Sequence, residues 1–264
     1  MDIKENYSIA DLENIIRRLR AKDGCSWDKA QTHESIRHNL IEEAYELADA
    51  IDKKDDVNMC EETGDLILQA VFHSVMAEER GAFDLSKAVD NICKKLISRH
   101  THIFGGDKAE NSEKALEVWD KNKKKEKGYA TVYDEMRAVP MSFTALMRAE
   151  KIQKKAARHN FDFESVDGAF DKLHEEIDEL KAAVKNNSNI EEECGDMLFA
   201  AVNVVRMFKQ DCELCLNASA QKFMDRFKTM EELILKDNKV MKNMTLAELD
   251  IYYNESKKLN GKKS

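Results

Sequence analysis

Pairs of carboxylates spaced three residues apart are the side chains of this sequence best suited to chemistry. Residues three apart share one face of an α-helix, so each pair forms a patch of two carboxylates. Two such helices packed face to face gather four carboxylates, an all-oxygen set that suits Mg²⁺ and, as a second possibility, Mn²⁺. The predicted metal ligands are Glu43, Glu46, Glu62 and Asp65 in the first half of the chain and Glu176, Glu179, Glu193 and Asp196 in the second.

The spacing alone is weak support for a metal site. Acidic residues make up 51 of the 264 positions, so solvated helix faces carry such pairs by chance. The neighbouring residues are more informative, because Glu43 and Asp65 lie among Leu, Ile and Val. Burying carboxylates without a cation is costly. A bound metal ion offsets that cost, so a metal site is the favoured interpretation.

The carboxylate pairs belong to an internal repeat. LIEEAYEL from Leu40 matches LHEEIDEL from Leu173, and EETGDLILQAV from Glu61 matches EECGDMLFAAV from Glu192. A repeat that keeps polar residues in register is stronger support than one isolated motif. The match extends weakly to two further segments, in which Lys95 and Arg99 correspond to Lys222 and Arg226, and Trp119 corresponds to Tyr253. Each half is therefore predicted to be a module of four helices.

The composition and the helix signals predict the elements that position these residues. One Pro and nine Gly are too few for the many turns of an all-β protein. Apolar residues recur at helical spacing, and helices are expected to begin at Thr32, at Asp55 or Asp56, at Asp84 and at Thr245. We predict an all-α fold with modules at 1–128 and 141–264. The charged run KNKKKEK, followed by Gly128 and Pro140, places a linker at 129–140.

Charge and composition limit the partners of the chain. A net charge of −9 disfavours direct binding to nucleic acid, which relies on many Lys and Arg contacts to phosphates. A polyanionic ligand would need cations as intermediaries. No apolar run reaches the length of a membrane span, and no signal-peptide pattern precedes Arg20. With six scattered cysteines, of which Cys212 and Cys215 form one CxxC, a cytoplasmic protein with reduced thiols is expected.

Basic and aromatic residues are candidates for contacts with such a ligand. Lys222 with Arg226, and Lys95 with Arg99, are four residues apart, so each pair presents two cations on one helix face. Cations so placed can hold phosphate oxygens. The aromatic rings are less decisive, since Trp119 or Tyr253 can stack on a base or belong to the core.

Three motifs, together with the repeated carboxylates, resemble the MazG family of nucleoside triphosphate pyrophosphohydrolases in its two-module bacterial form. GCSWDKAQTHES at 24–35 is similar to the family's GCPWDKEQTHES loop, and SRHTHIFG at 98–105 to its RHPHVFG. ALMRAEKIQKKAA at 145–157 resembles the start of its second module. The pattern ExxE followed by ExxD, the metal-binding signature of the family, is present in both halves. Tyr253 stands where the family usually has Trp.

The resemblance implies four-helix modules that dimerise and that hydrolyse ribo- and deoxyribonucleoside triphosphates to monophosphates and pyrophosphate, for control or housecleaning of the nucleotide pool. It implies that Glu176, Glu179, Glu193 and Asp196 bind Mg²⁺, that Lys222 and Arg226 hold the triphosphate, and that Tyr253 lies against the nucleotide. Only the second module is catalytic in some two-module relatives, so turnover in the first module stays open. Beside the ligands, Glu175 and Glu192 are our candidates to orient or deprotonate the attacking water.

Two other classes of protein share parts of this pattern. Di-iron centres also lie in carboxylate-rich helix bundles, but they need paired ExxH motifs. The matching positions, among them Glu46 and Asp196, carry no histidine. A helical module that binds nucleotides or proteins without turnover is the second alternative. A turnover assay beside a binding measurement separates it from an enzyme.

Overall fold

The computed structural model describes residues 3–261, and these residues form α-helices, one short 3₁₀ helix and no strand. The all-α prediction is confirmed. The helices are α1 (Ile9–Arg20), α2 (Ser26–Ala30), α3 (Arg37–Lys53), α4 (Asp56–Glu79), α5 (Leu85–Arg99), α6 (Thr101–Phe104), α7 (Ser112–Lys127), α8 (Val132–Arg137), α9 (Ala145–Ala157), α10 (Val166–Asn186), α11 (Ile190–Met207), α12 (Cys212–Lys236) and α13 (Leu246–Asn260), with the 3₁₀ helix at Met241–Asn243. Among them, none is long and apolar enough to cross a membrane.

The chain divides into two compact units, Met1–Lys127 and Gly128–Ser264. Each unit contains the four helices expected from the repeat, α3, α4, α5 and α7 in the first and α10, α11, α12 and α13 in the second. A further helix precedes each set, α1 in unit 1 and α9 in unit 2. The segment 129–140, expected to be a linker, contains α8, which packs against α9. The buried Glu135 accepts a hydrogen bond from Lys155 Nζ at 3.2 Å, so α8 belongs to unit 2.

Three of the predicted helix starts are confirmed by capping hydrogen bonds. The Asp55 carboxylate accepts from a backbone N–H in the first turn of α4, and Asp84 does the same for α5. Thr245 and Glu248 form a capping box at α13, in which each side chain accepts from the other's backbone N–H. These side chains satisfy N–H groups that have no partner within the helix.

The predicted start at Thr32 is wrong. Helix α3 begins at Arg37, and its N-cap Ile36 has no side chain that can accept a hydrogen bond. Thr32 instead pairs with Ser35 in the preceding turn, where the Ser35 N–H donates to Thr32 Oγ1 at 3.2 Å. The buried Ile36 side chain explains the difference, because it joins the core of unit 1 and sets where the helix starts.

The buried cores of the two units lie between different pairs of helices. In unit 1 the core lies between α1 and α4, where Ile16 packs with Val71, Phe72, Val75 and their neighbours. In unit 2 the main buried cluster joins α12 to α13 through Met230, Ile234 and Tyr252. The helix pairs that carry the carboxylates, α3 with α4 and α10 with α11, make the most extensive helix contacts in the chain.

A histidine pair ties the loop before α3 to α4. The Nδ1 atoms of His33 and His73 are 2.8 Å apart, the ring centroids are 5.1 Å apart, and the ring planes differ by only 4°. One proton shared between the two nitrogens satisfies this geometry. Burial, and then the proximity of His33, lower the pKa of His73 below its ordinary value.

We expect this pair to make unit 1 less stable at acid pH. Because the folded state resists protonation of His73, the unfolded chain binds more protons below the ordinary histidine pKa. The contribution of His73 to the free energy of unfolding is complete above the ordinary histidine pKa. It is lost as the pH falls toward the lower pKa of His73 in the folded state. Urea unfolding of the full chain at pH 7.5 and 5.5 measures the effect. His73→Gln should weaken the dependence on pH, and the exposed His38→Gln should not; equal slopes in all three proteins would contradict the prediction.

Candidate functional site

Helices α3 and α4 bring three predicted ligands of unit 1 together. Carboxylate oxygens of Glu43, Glu46 and Glu62 all lie within 4.8 Å of one another. Asp65, one turn further along α4, lies outside this group but is close enough to raise the pKa of Glu43. Burial is the largest cause of the raised pKa of Glu43 and of Glu62, and the neighbouring negative charges add to it.

Helices α10 and α11 form the corresponding group in unit 2. Oxygens of Glu176, Glu193 and Asp196 lie within 4.8 Å of one another. Glu176 is only 6% exposed, whereas Asp196 is open to solvent. The fourth predicted ligand, Glu179, lies outside the group. Burial, and then the charge and hydrogen bond of Glu176, raise the pKa of Glu179.

Both groups have the chemistry of a site for a hard divalent cation. Each offers only carboxylate oxygens, which Mg²⁺ and Mn²⁺ prefer. Like charges held this close repel one another. In unit 1 burial, and then these charges, raise the pKa of Glu43 and of Glu62, and beside the unit 2 group the same causes raise the pKa of Glu179. A cation removes the repulsion, so the residues present fit a bound metal ion.

A lysine beside the unit 2 group was missed by the sequence analysis. Lys172 Nζ lies 2.7 Å from a carboxylate oxygen of Glu176 and 2.8 Å from one of Glu175. These bonds, that to Glu175 first, raise the pKa of Lys172. The repeat aligns Lys172 with Asn39, so unit 1 has no cation at this position. The spacing Lys172 to Glu176, four residues on one helix, was the signal available.

The two residues considered for the attacking water differ in their contacts. Glu175 is exposed and is bound to Lys172. Glu192 is exposed in the first turn of α11, and within residues 3–261 it makes no ion pair. Of the two, Glu192 is the carboxylate with free oxygens beside a predicted ligand.

The predicted phosphate-binding arginines have different surroundings in the two units. Arg99 is 5% exposed, its Nε and Nη2 donate to Glu126 at 2.8 and 3.0 Å, and its guanidinium lies over the Trp119 ring. Arg226 is half-buried, and its Nε is buried without a hydrogen-bond partner in the described chain. Unit 2 therefore has a guanidinium whose Nε donor is unused, while the guanidinium of unit 1 is engaged by Glu126. Lys95 and Lys222 are exposed near these arginines in sequence.

The candidate aromatic rings already contact cations of the chain. Arg99 and Lys123 lie 5.2 and 4.7 Å from the centre of the Trp119 ring. Lys257 lies 4.9 Å from the centre of the Tyr253 ring, which also packs on Phe223 at 5.8 Å. Cations over an aromatic face are held by its negative potential. Base stacking on either ring would compete with these contacts.

Comparison with known proteins gives two matches to one domain family. The MazG nucleotide pyrophosphohydrolase domain matches residues 31–104 and 151–232. These ranges include all eight predicted metal ligands and the four basic residues predicted to bind phosphate, Lys95, Arg99, Lys222 and Arg226. Trp119 and Tyr253 lie outside them.

Three relatives match almost the whole chain. A Thermotoga maritima protein described as nucleoside triphosphate pyrophosphohydrolase/pyrophosphatase MazG is 41% identical over 94% of this chain and 94% of its own length. An Escherichia coli nucleoside triphosphate pyrophosphohydrolase is 37% identical over 94% of this chain and 96% of its own length. The Bacillus subtilis protein YabN is 37% identical over 95% of this chain and 52% of its own length. The chain belongs to the MazG nucleotide pyrophosphohydrolase family and is a hydrolase with two domains of that family.

Proposed function

We propose that this hydrolase converts nucleoside triphosphates to nucleoside monophosphates and pyrophosphate in a Mg²⁺-dependent reaction, and that unit 2 is the working site. The observation that carries the proposal is the group formed by Glu176, Glu193 and Asp196. A lysine lies at hydrogen-bond distance from this group, and α12 of the same unit carries an arginine whose Nε has no partner in the described residues. The names of the Thermotoga and Escherichia relatives agree with this reaction.

The carboxylate group would hold the cation, with Glu179 joining as a ligand by rotation of its side chain. Bound Mg²⁺ supplies charge neutralisation on the phosphate oxygens and lowers the pKa of a coordinated water. Mn²⁺ has the same ligand preference and should replace it. Lys172, freed from Glu176 when that carboxylate binds metal, is positioned to pair with a phosphate oxygen instead.

The remaining residues bind the substrate and move a proton. Arg226 and Lys222 lie one turn apart on α12, which packs against α9 and α11, and they offer charge-assisted bonds to the triphosphate. Glu192 is the proposed acceptor for the proton of the attacking water, with Glu175 as the alternative. The phosphorus attacked is the α-phosphorus, and pyrophosphate leaves. Holding nucleophile and leaving group in line provides most of the acceleration in such reactions.

We propose that both ribo- and deoxyribonucleotides are substrates and that the reaction limits unwanted nucleotides in the cellular pool. We also propose a homodimer. Support comes from exposed apolar residues at helical spacing, Val89, Ile92 and Leu96 on α5, and Phe223 and Phe227 on α12. A second copy covering such faces would remove apolar surface from water. Light scattering on the purified chain measures the oligomer.

A product assay tests the reaction. With Mg²⁺ and a panel of common ribo- and deoxyribonucleoside triphosphates, we expect equal amounts of monophosphate and pyrophosphate. A chelator should stop the reaction, and excess Mg²⁺ or Mn²⁺ should restore it. Release of orthophosphate and a nucleoside diphosphate, or turnover that resists the chelator, would contradict the proposal.

A further inference from the structure

We propose that a cavity between α9 and α11 of unit 2 receives the base of the nucleoside triphosphate. This inference rests on the proposed function and adds the place where the nucleoside is bound. The cavity has a volume of about 400 Å³ and opens to solvent. Sites for small organic ligands are of this size and combine apolar walls with a few placed polar groups.

Aromatic residues form the apolar part of this cavity. Phe163 and Phe199 line it, and Phe161, which is 82% exposed, stands at its edge. Neither Phe161 nor Phe163 has a cation or a second ring against its face in the described residues, in contrast to Trp119 and Tyr253. Bases taken up by enzymes are commonly held between aromatic or apolar side chains.

Three amide side chains line the cavity, the exposed Asn160 and the more buried Gln153 and Asn203. Gln153 is 6% exposed, its Nε2 donates to the backbone oxygen of Phe199 at 2.8 Å, and its Oε1 is buried without a partner. Asn203 Oδ1 accepts from Arg206 Nε at 2.9 Å, which leaves the Asn203 amide nitrogen as a donor with no partner in residues 3–261. Arg206 is fixed in turn by Asp162, at 3.0 and 2.5 Å. Gln153 therefore offers the cavity an unused acceptor, and Asn203 offers it an unused donor.

The internal repeat places apolar residues of unit 1 where unit 2 has two of the polar residues of this cavity. Continuing the match of EETGDLILQAV with EECGDMLFAAV aligns Asn203 with Phe72 and Arg206 with Val75. In unit 1 these two apolar side chains are 6% and 2% exposed and pack in the core with Ile16. Polar groups at core positions lower stability unless they are satisfied. In unit 2 both residues are half-buried, and Arg206 is satisfied by Asp162 and Asn203. The Asn203 amide nitrogen, beside open volume, is the group that a ligand would satisfy.

The position along α11 fits one nucleotide spanning both sites. Asp196 of the carboxylate group and Asn203 of the cavity are two turns apart on one helix, about 10 Å at a rise of 1.5 Å per residue. A nucleoside monophosphate covers such a distance from phosphate to base. With the phosphates at the carboxylates, the base reaches the cavity wall. The edge of every common base carries a donor beside an acceptor, so the two amides can bind purines and pyrimidines alike.

Two substitutions test the cavity. Gln153→Leu keeps the size of the side chain and removes its amide, and we expect about a tenfold lower kcat/KM for all triphosphates, mostly through KM. Asn203→Phe introduces the residue of unit 1 and fills the space. It should reduce kcat/KM for ATP and GTP more than for CTP and UTP. Gln210→Leu, the same chemical change at an exposed position outside the cavity, is the matched control.

Binding of adenosine, which has no phosphate, provides a measurement independent of turnover. Adenosine should bind the unsubstituted chain without metal, and binding should be lost in both cavity variants. A wild-type chain that hydrolyses triphosphates while both variants keep its adenosine affinity and base preference would overturn the cavity and leave the proposed function intact. Absence of turnover in the wild type would overturn the function, and adenosine binding would then decide the cavity separately.

If circular dichroism shows that Asn203→Phe does not fold, the test uses Gln153→Leu alone. Variants that alter only the oligomeric state would assign the cavity to a second copy of the chain and overturn the inference.

Discussion

Glu193→Gln is expected to lose pyrophosphate release by a factor of about 100 or more, because electrostatic stabilisation by a bound metal ion is worth several kcal/mol in such reactions. Glu193 shares a group of carboxylate oxygens with the buried Glu176 and with Asp196, all within 4.8 Å. An amide keeps the shape of the side chain but lacks the negative charge that attracts the cation. Removing one of several repelling carboxylates should not unfold the helices. The steady-state rate of pyrophosphate release at saturating Mg²⁺ measures the loss, and thermal unfolding confirms the fold.

Two further variants serve as controls for Glu193→Gln. Glu191→Gln removes an exposed charge from the same turn of α11 and should keep turnover, so it controls for the general loss of a negative charge. Glu62→Gln makes the equivalent change in unit 1, at the position that the repeat aligns with Glu193. The decrease in the rate of pyrophosphate release in this variant measures the share of turnover in unit 1. An unchanged rate in Glu193→Gln would reject the metal site. An equal loss in Glu62→Gln would reject the assignment to unit 2.

Local spacing explains how much of this site was predictable from sequence. Residues three apart share a helix face whatever the tertiary structure, so the pairs in α3, α4, α10 and α11 followed from sequence alone. Their meeting across helices followed from the repeat, which keeps both pairs in register. Helix spacing does not determine side-chain rotation, so it could not predict which carboxylates come closest, and Asp65 and Glu179 lie outside the two groups.

Long-range contacts explain what the sequence did not predict. Arg99 and Arg226 occupy equivalent positions, and only the fold shows that Glu126, 27 residues away, engages Arg99. In the cavity of unit 2, a hydrogen bond joins Gln153 to the backbone oxygen of Phe199, 46 residues away. No local sequence pattern indicates this contact. Lys172 is a different case. Its spacing from Glu176 was readable, but one lysine among solvated helix charges looks like any other.

The start of α3 shows the same limit for the fold. Thr32 has the chemistry of an N-cap, yet the buried Ile36 takes that position because its side chain belongs to the core. Asp55, Asp84 and Thr245 caps were predictable, since no core residue competes for those positions. Capping signals therefore determine helix starts on the surface, and packing determines them where the chain enters the core.

Arg226→Gln is expected to lower kcat/KM for triphosphates by about 10- to 100-fold, because hydrogen bonds to charged groups contribute about 1.5–3 kcal/mol. Most of the change should appear in KM if the guanidinium binds substrate and transition state equally.

Arg226 Nε makes no hydrogen bond in the described residues, and none of the ion pairs found there includes Arg226, so we expect stability to change little. Arg99→Gln is the informative comparison. It breaks two hydrogen bonds to Glu126 and the contact with Trp119, and its effect should appear first in the free energy of unfolding. Lys228→Gln, on an exposed face of α12, controls for the loss of one positive charge. The opposite pattern would contradict this prediction: Arg226→Gln would lower stability without raising KM, and Arg99→Gln would raise KM at unchanged stability. Substrate binding would then belong to unit 1, where the substrate would have to displace Glu126 from Arg99.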